Sequence, residues 1–204
     1  MIVNVFGDSL SAKRKENGSI LEWPALLDDK LKVKNFSKPF QTSNSLKAFN
    51  GLEGFCIINL GLVDCAERRF NRLEHKILAR LPSTLVSILV KLLKRSPSLK
   101  RAYVAENKFI HNIESFIQNN QKLNLVIMSI ISGSEACDLS DITRSQISAY
   151  NLALRKLSHR MGIDFLDVNS SLDSDCFMGD GYHLSAKGHK LLSNLIGEYF
   201  ENIC

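Results

Sequence analysis

The chain has 204 residues, of which 45% are apolar, 23% charged, 11 Gly and 4 Pro. Those proportions belong to an ordinary globular domain and exclude a disordered, collagen-like or mucin-like chain. The net charge of +5 is mild and does not by itself point to nucleic acid. It is unevenly spread: residues 66–122 carry 12 Lys/Arg against 4 Asp/Glu, or +8, and the remainder is −3.

Residues 2–6 form a β-branched and aromatic run that stops at Gly7, which predicts a buried strand feeding a tight turn. Residues 19–31 space Ile20, Trp23, Leu27 and Leu31 as a helix, with Pro24 in the first turn, where its missing N–H costs nothing. Further strands are expected over 31–36, 55–60, 123–131 and 163–168. All five are continuous apolar runs, as expected of parallel strands buried on both faces.

Helices are expected over 107–121, 144–161 and 185–200, with Ser185 capping the last. Strands alternating with helices predict a parallel sheet covered on both faces. No repeat or low-complexity linker divides the chain, so residues 1–204 read as one domain. Residues 66–122 read as a helical insertion or lid after the third strand. Open α/β sheets bind ligands at the carboxyl ends of their strands, so this insertion would overhang such a site.

Five cysteines, Cys56, Cys65, Cys137, Cys176 and Cys204, show no CxxC pair and no regular spacing. They read as reduced thiols of a cytoplasmic protein rather than a disulfide or zinc scaffold. The N-terminus lacks the pattern of a secretory signal, and no apolar run reaches the ~20 residues of a membrane span.

Two short motifs carry chemistry. Gly7-Asp8-Ser9-Leu10 ends the first strand and presents a serine at a strand-to-loop turn. Asp180-Gly181-Tyr182-His183 precedes the last helix. An Asp three residues before a His can fix its tautomer, leaving the second imidazole nitrogen to activate a serine hydroxyl. Read singly, Ser9 is a turn cap and His183 a helix-capping residue; together they make a catalytic set.

With these motifs in place, the chain resembles the GDSL, or SGNH, hydrolases along essentially its whole length. The resemblance also rests on the third strand leading into Gly61-Leu62-Val63-Asp64. It implies a flavodoxin-like three-layer α/β/α sandwich with a five-stranded parallel sheet. It further implies Ser9 as nucleophile, His183 as general base and then acid, and Asp180 as its orienter. The Ser9 backbone N–H would be one oxyanion donor.

Two positions depart from the family pattern. Phe40 stands where a Gly is expected to aim its N–H at the oxyanion, and a positive φ costs Phe more than Gly. Val63 stands where an Asn would donate a third hydrogen bond, and losing one such donor typically costs ~100–1,000-fold in rate. The stretch Gly61-Leu62-Val63-Asp64-Cys65-Ala66 also resembles a subgroup whose block reads Gly-Ile-Val-Asp-Cys-Ala, associated with bacterial surface-polysaccharide loci.

Asp8 and Asp64 read as supporting carboxylates that fix loops. Holding Mg²⁺ between them would need a third ligand, which the sequence does not offer, so no metal and no organic cofactor is expected. Cys65 reads as a small buried residue, Trp23 as core, His189 as surface or packing, and His75, His111 and His159 as solvated. The basic segment 85–101 reads first as a lid. It could also hold an anionic glycan or nucleotide-linked donor, or lie on an anionic membrane surface. No nucleic-acid recognition module is present.

The function these readings imply is a serine esterase acting on a small acyl ester, an O-acetyl group on a carbohydrate. The alternatives are a carbohydrate O-acetyltransferase using the same chemistry, and a catalytically impaired binding module on the same fold.

Overall fold

The computed structural model describes residues 1–13, 20–27, 31–67, 77, 80–82, 85–86, 88, 102–134 and 139–203. Five strands, β1 (Ile2–Gly7), β2 (Lys32–Asn35), β3 (Gly54–Asn59), β4 (Leu123–Met128) and β5 (Asp164–Leu166), form one sheet in the order β2-β1-β3-β4-β5. Every pairing is parallel. Helices with both ends among the described residues are α1 (Leu62–Cys65), a single turn, α2 (Glu106–Asn119), α3 (Asp141–Met161) and α4 (Ala186–Ile203). The expected three-layer sandwich with a five-stranded parallel sheet is the observed fold.

The three central strands are apolar on both faces because helices cover both. From β1, Phe6 stacks on Phe36 at 5.0 Å and meets Phe49 and Phe116 edge-on, Phe116 coming from α2. Val3 and Val5 alternate with it and are equally buried. From β3, Phe55 meets Phe200 of α4 edge-on at 5.3 Å.

The outer strands differ from expectation. Three of the four β2 residues are exposed, and β5 has only three residues, none of them buried. Both are edge strands with a neighbour on one side only, so they need less apolar surface than β1, β3 and β4.

The helix expected over 19–31 is, among its described residues, a short 3-10 turn at Trp23–Leu26 with extended backbone at Leu27. Pro24 does sit in the first turn. Trp23 donates its backbone N–H to Nδ1 of His189 in α4, a tertiary contact that fixes the chain here. The other helices fall within a few residues of their expected bounds: α2 starts one residue early and ends two short, and α4 starts one late and ends three beyond. Helix α3 begins three residues early because Ser140 caps it, accepting the Thr143 N–H. Ser185 caps α4, its Oγ accepting the Gly188 N–H at 3.2 Å.

Helix α2 lies inside the expected insertion and is the ordinary β3-to-β4 crossover. Most of the rest of that insertion, including Lys94, Arg95, Lys100 and Arg101, lies outside the described residues. No helix among the described residues is long and apolar enough to cross a membrane.

Strand order reverses between β1 and β3. The chain leaves β1 toward β2 on one side and later continues from β3 toward β4 on the other. Such a switch point opens a crevice at the carboxyl ends of the strands. Gly7 and Asn59 are paired there, and both the Ser9 loop and the Gly61–Asp64 turn start from it.

Candidate active site

The first loop is held by its own backbone and by a buried polar chain. Ser11 and Ala12 donate N–H groups to the Asp8 carbonyl at 3.2 and 3.0 Å. The Trp23 indole N–H donates to Ser11 Oγ at 3.1 Å, and Ser11 Oγ donates to Asn59 Oδ1 at 2.8 Å. Sequence reading placed Trp23 in the core and missed this role. An indole N–H buried in a core must find an acceptor, which is the signal that would have prompted the search.

The Asp8 carboxylate is buried and accepts the N–H of Leu10 at 3.0 Å, with the Val63 backbone N–H close enough to favour its ionised form. Burial pushes its pKa up to about 6, against the opposing pull of the backbone N–H groups of Leu10, Val63 and Asp8 itself. Asp8 thus ties the Ser9 loop to the turn after β3. Ser9 remains partly exposed above it.

The second loop brings His183 to Ser9 across 174 positions of sequence. Asp180 Oδ1 accepts the backbone N–H groups of Tyr182 and His183 at 3.1 and 2.9 Å. Its other oxygen, Oδ2, lies 2.6 Å from His183 Nδ1. His183 Nε2 then lies 3.2 Å from Ser9 Oγ. Desolvation works against ionisation of Asp180, but the hydrogen bonds from His183 and Tyr182 outweigh it and hold its pKa below the ordinary value.

An ionised Asp180 takes the Nδ1 proton as a hydrogen bond. The neutral ring then presents the Nε2 lone pair to the serine hydroxyl. The loop is braced from outside: Ser134 donates its N–H to the Gly181 carbonyl at 2.7 Å, and Met178 donates to the His183 carbonyl at 2.7 Å.

The third element is the loop between β2 and the next 3-10 turn. Lys38 donates its N–H to the Gly7 carbonyl at 3.3 Å, and Gln41 closes a four-residue turn on the Lys38 carbonyl at 3.1 Å. Pro39 and Phe40 occupy its centre. Phe40 has φ 60°, the one positive value at a non-glycine among the described residues. A turn with Pro second and a positive φ third favours glycine at that third place. Phe40 thus holds a backbone conformation that favours glycine, and the left-handed conformation costs an L-residue about 1–2 kcal/mol.

Asp64 anchors the far end of this loop. It is fully buried and accepts the Ser43 N–H at 3.0 and 3.1 Å and the Ser43 hydroxyl at 2.7 Å. Asn112 of α2 donates to Ser43 Oγ at 2.9 Å. The Asp8 and Asp64 carboxylates are thus engaged with different loops.

Gly61, just before α1, has φ 138°, and a Cβ there would lie 2.4 Å from Ile130 Cδ1. Only glycine allows β3 to turn this sharply against β4. Val63 is buried at 5% exposure, and its side chain has no group to donate. Cys65 is buried, as expected of a small core residue. His189 is buried rather than on the surface, while His111 and His159 are exposed. His75 lies outside the described residues.

A cavity of about 560 Å³ opens at the other end of the sheet, lined by Leu123, Gly162, Asp164 and Tyr199 among others. None of Ser9, Asp180 and His183 lines it.

No protein-family model matches the chain, and no curated protein does. Solved structures do. A GDSL-like lipase from Bacteroides thetaiotaomicron superposes with a TM-score of 0.65 at 14% identity, covering 100% of this chain and 89% of the other. A carbohydrate acetylesterase from Sinorhizobium meliloti gives 0.63 at 14% identity, covering 100% and 99%. A catalytic mutant of an acetylxylan esterase from Geobacillus stearothermophilus gives 0.60 at 14% identity, covering 96% and 91%. The chain therefore has the three-layer α/β/α fold seen in GDSL-like lipases and acetylesterases. At these identities the likeness is one of fold.

Proposed function

We propose that the chain is a serine esterase that removes a small acyl group, an O-acetyl on a carbohydrate, through Ser9, His183 and Asp180. The observation that carries this reading is the hydrogen-bonded line from Ser9 Oγ to His183 Nε2 at 3.2 Å and from His183 Nδ1 to Asp180 at 2.6 Å. The carbohydrate acetylesterase and acetylxylan esterase of the same fold support the choice of substrate class.

In the proposed reaction Ser9 Oγ attacks the ester carbonyl as its proton passes to His183 Nε2. Asp180 stays ionised and stabilises the imidazolium. The carbonyl oxygen gains charge and takes hydrogen bonds from the backbone N–H groups of Ser9 and Phe40. The tetrahedral intermediate collapses, His183 protonates the departing sugar oxygen so that it leaves as a hydroxyl, and the acetyl group remains on Ser9. Water then attacks the acyl-enzyme, His183 accepts its proton, and acetate leaves as Ser9 is reprotonated. Two backbone donors, with no third from Val63, make a weaker oxyanion site than the family pattern. The reading therefore includes slow turnover toward simple esters.

A sugar hydroxyl in place of water would make the same acyl-enzyme an O-acetyltransferase. The basic insertion would be the place to hold an anionic glycan or nucleotide-linked acceptor or donor. We place the protein in the cytoplasm, a reading supported by Cys56, Cys65 and Cys176, which are buried and in no disulfide.

The test uses an O-acetylated xylo-oligosaccharide with and without an unacetylated acceptor, followed by proton NMR. Release of free acetate that disappears in His183→Ala supports the esterase. Acetyl appearing only on the acceptor replaces that reading with the transferase. Binding of the glycan with neither product would indicate an impaired binding module.

A further inference from the structure

We propose that the Phe40 ring is a platform for the ring-shaped alcohol part of the substrate. One residue would then donate to the oxyanion through its backbone and select the leaving group through its side chain. The proposal deepens the esterase reading and rests on it for the identity of the leaving group.

Three observations converge on the loop. Phe40 holds φ 60°, where Gly, Asn or Asp would sit with less strain. Its side chain is 72% exposed, more than any other large apolar side chain among the described residues. Within the same few positions Ser37 Oγ, Gln41 Oε1 and Thr42 Oγ1 are buried with no hydrogen-bond partner. Neither turn chemistry nor core packing calls for an aromatic here, since a polar residue would satisfy both.

The position of the loop decides what the ring can meet. Lys38 is pinned to Gly7, two residues before Ser9, and Ser43 is pinned to Asp64, one residue after Val63. Phe40 therefore lies midway along a strap whose ends are fixed beside the Ser9 loop and the Val63 turn. The acyl group must lie against Ser9 and the backbone donors, inside that strap. In the proposal the exposed ring meets the alcohol part, which must leave the strap on its open side. A flat aromatic face attracts the polarised C–H face of a pyranose or the edge of another ring, and it offers little to a small acyclic alcohol.

The test compares kcat/KM for methyl tri-O-acetyl-xylopyranoside with that for ethyl acetate, in wild type, Phe40→Gly and Phe40→Trp. Glycine suits the backbone angle, so the Phe40→Gly protein should fold. The preference for the pyranoside should fall about fivefold to tenfold in Phe40→Gly and persist in Phe40→Trp. An unchanged preference in Phe40→Gly overturns the proposal.

A second readout needs no turnover. In the Ser9→Ala background, NMR saturation transfer from aromatic protons to methyl xylopyranoside should be present with Phe40 or Trp and absent with Gly. Equal transfer in all three also overturns it. Phe40-dependent transfer in a protein that hydrolyses neither ester would retain the platform and remove the esterase reading instead.

Discussion

Replacing Asp64 by Ala probes how the site is held together. The carboxylate is fully buried and takes both the N–H and the hydroxyl of Ser43. Hydrogen bonds to a charged group contribute about 1.5–3 kcal/mol each, and a buried donor left alone adds its own desolvation cost. Relief from burying a charge offsets part of that loss. A net destabilisation of about 3 kcal/mol follows, or about 6–12 °C in Tm for a chain of this size.

The second consequence is catalytic. With Ser43 released from Asp64, the strap carrying Phe40 keeps its Lys38–Gly7 anchor and the weaker hold of Asn112 on Ser43. One preorganised oxyanion donor is worth about 100-fold or more, so a loosened one should lower kcat by about 10–100-fold with little change in KM. Asp64→Asn keeps an acceptor oxygen for Ser43 and should recover much of both losses. The assays are thermal unfolding and p-nitrophenyl acetate kinetics on the three proteins. An Asp64→Ala protein of wild-type stability and kcat would refute the anchoring argument. An Asp64→Asn protein as inactive as Asp64→Ala, yet fully stable, would show that Asp64 acts chemically instead.

Asp8 should make stability depend on pH. Its folded pKa of about 6 exceeds the ordinary value of 3.8, so its contribution is full below about pH 4 and is lost as pH rises through about 6. Relative to Asp8→Asn, wild type should gain about 1.4 kcal/mol, or about 3–6 °C, between pH 7.5 and pH 5. A Tm difference that does not change with pH would contradict the burial of an ionisable Asp8. Val63→Asn should raise kcat by about tenfold or more by supplying a third donor, and lower stability by about 1–2 kcal/mol because a buried valine is lost. A stable variant with unchanged or lower kcat would show that another group already fills that role.

The parts of this molecule legible in the sequence are those set by local pattern. The apolar runs of β1, β3 and β4 and the 3.6-residue periods of α2, α3 and α4 each specify their own element. The motifs at Ser9 and at Asp180–His183 were visible because each is a short segment whose neighbours do most of the positioning. Even the strain at Phe40 could be anticipated from one residue in a glycine place.

What stayed hidden depends on partners far along the chain. Trp23 to His189 spans 166 positions, and Ser43 to Asp64 spans 21. The first of these contacts accompanies a short turn where apolar spacing suggested a helix. The thin outer strands β2 and β5 were also overestimated, because an edge position shows in topology and not in composition.

The central claim is that Ser9 is activated by His183 to attack an ester. It is tested most directly by p-nitrophenyl acetate turnover at pH 8, wild type beside Ser9→Ala, with intact mass recorded after rapid acid quench. The account predicts turnover in the wild type and a transient acetyl adduct of about 42 Da on Ser9, the mass expected when a serine nucleophile carries the acyl group. Both should be absent in Ser9→Ala. Equal turnover by the two proteins would contradict the account, because the nucleophile would then lie elsewhere.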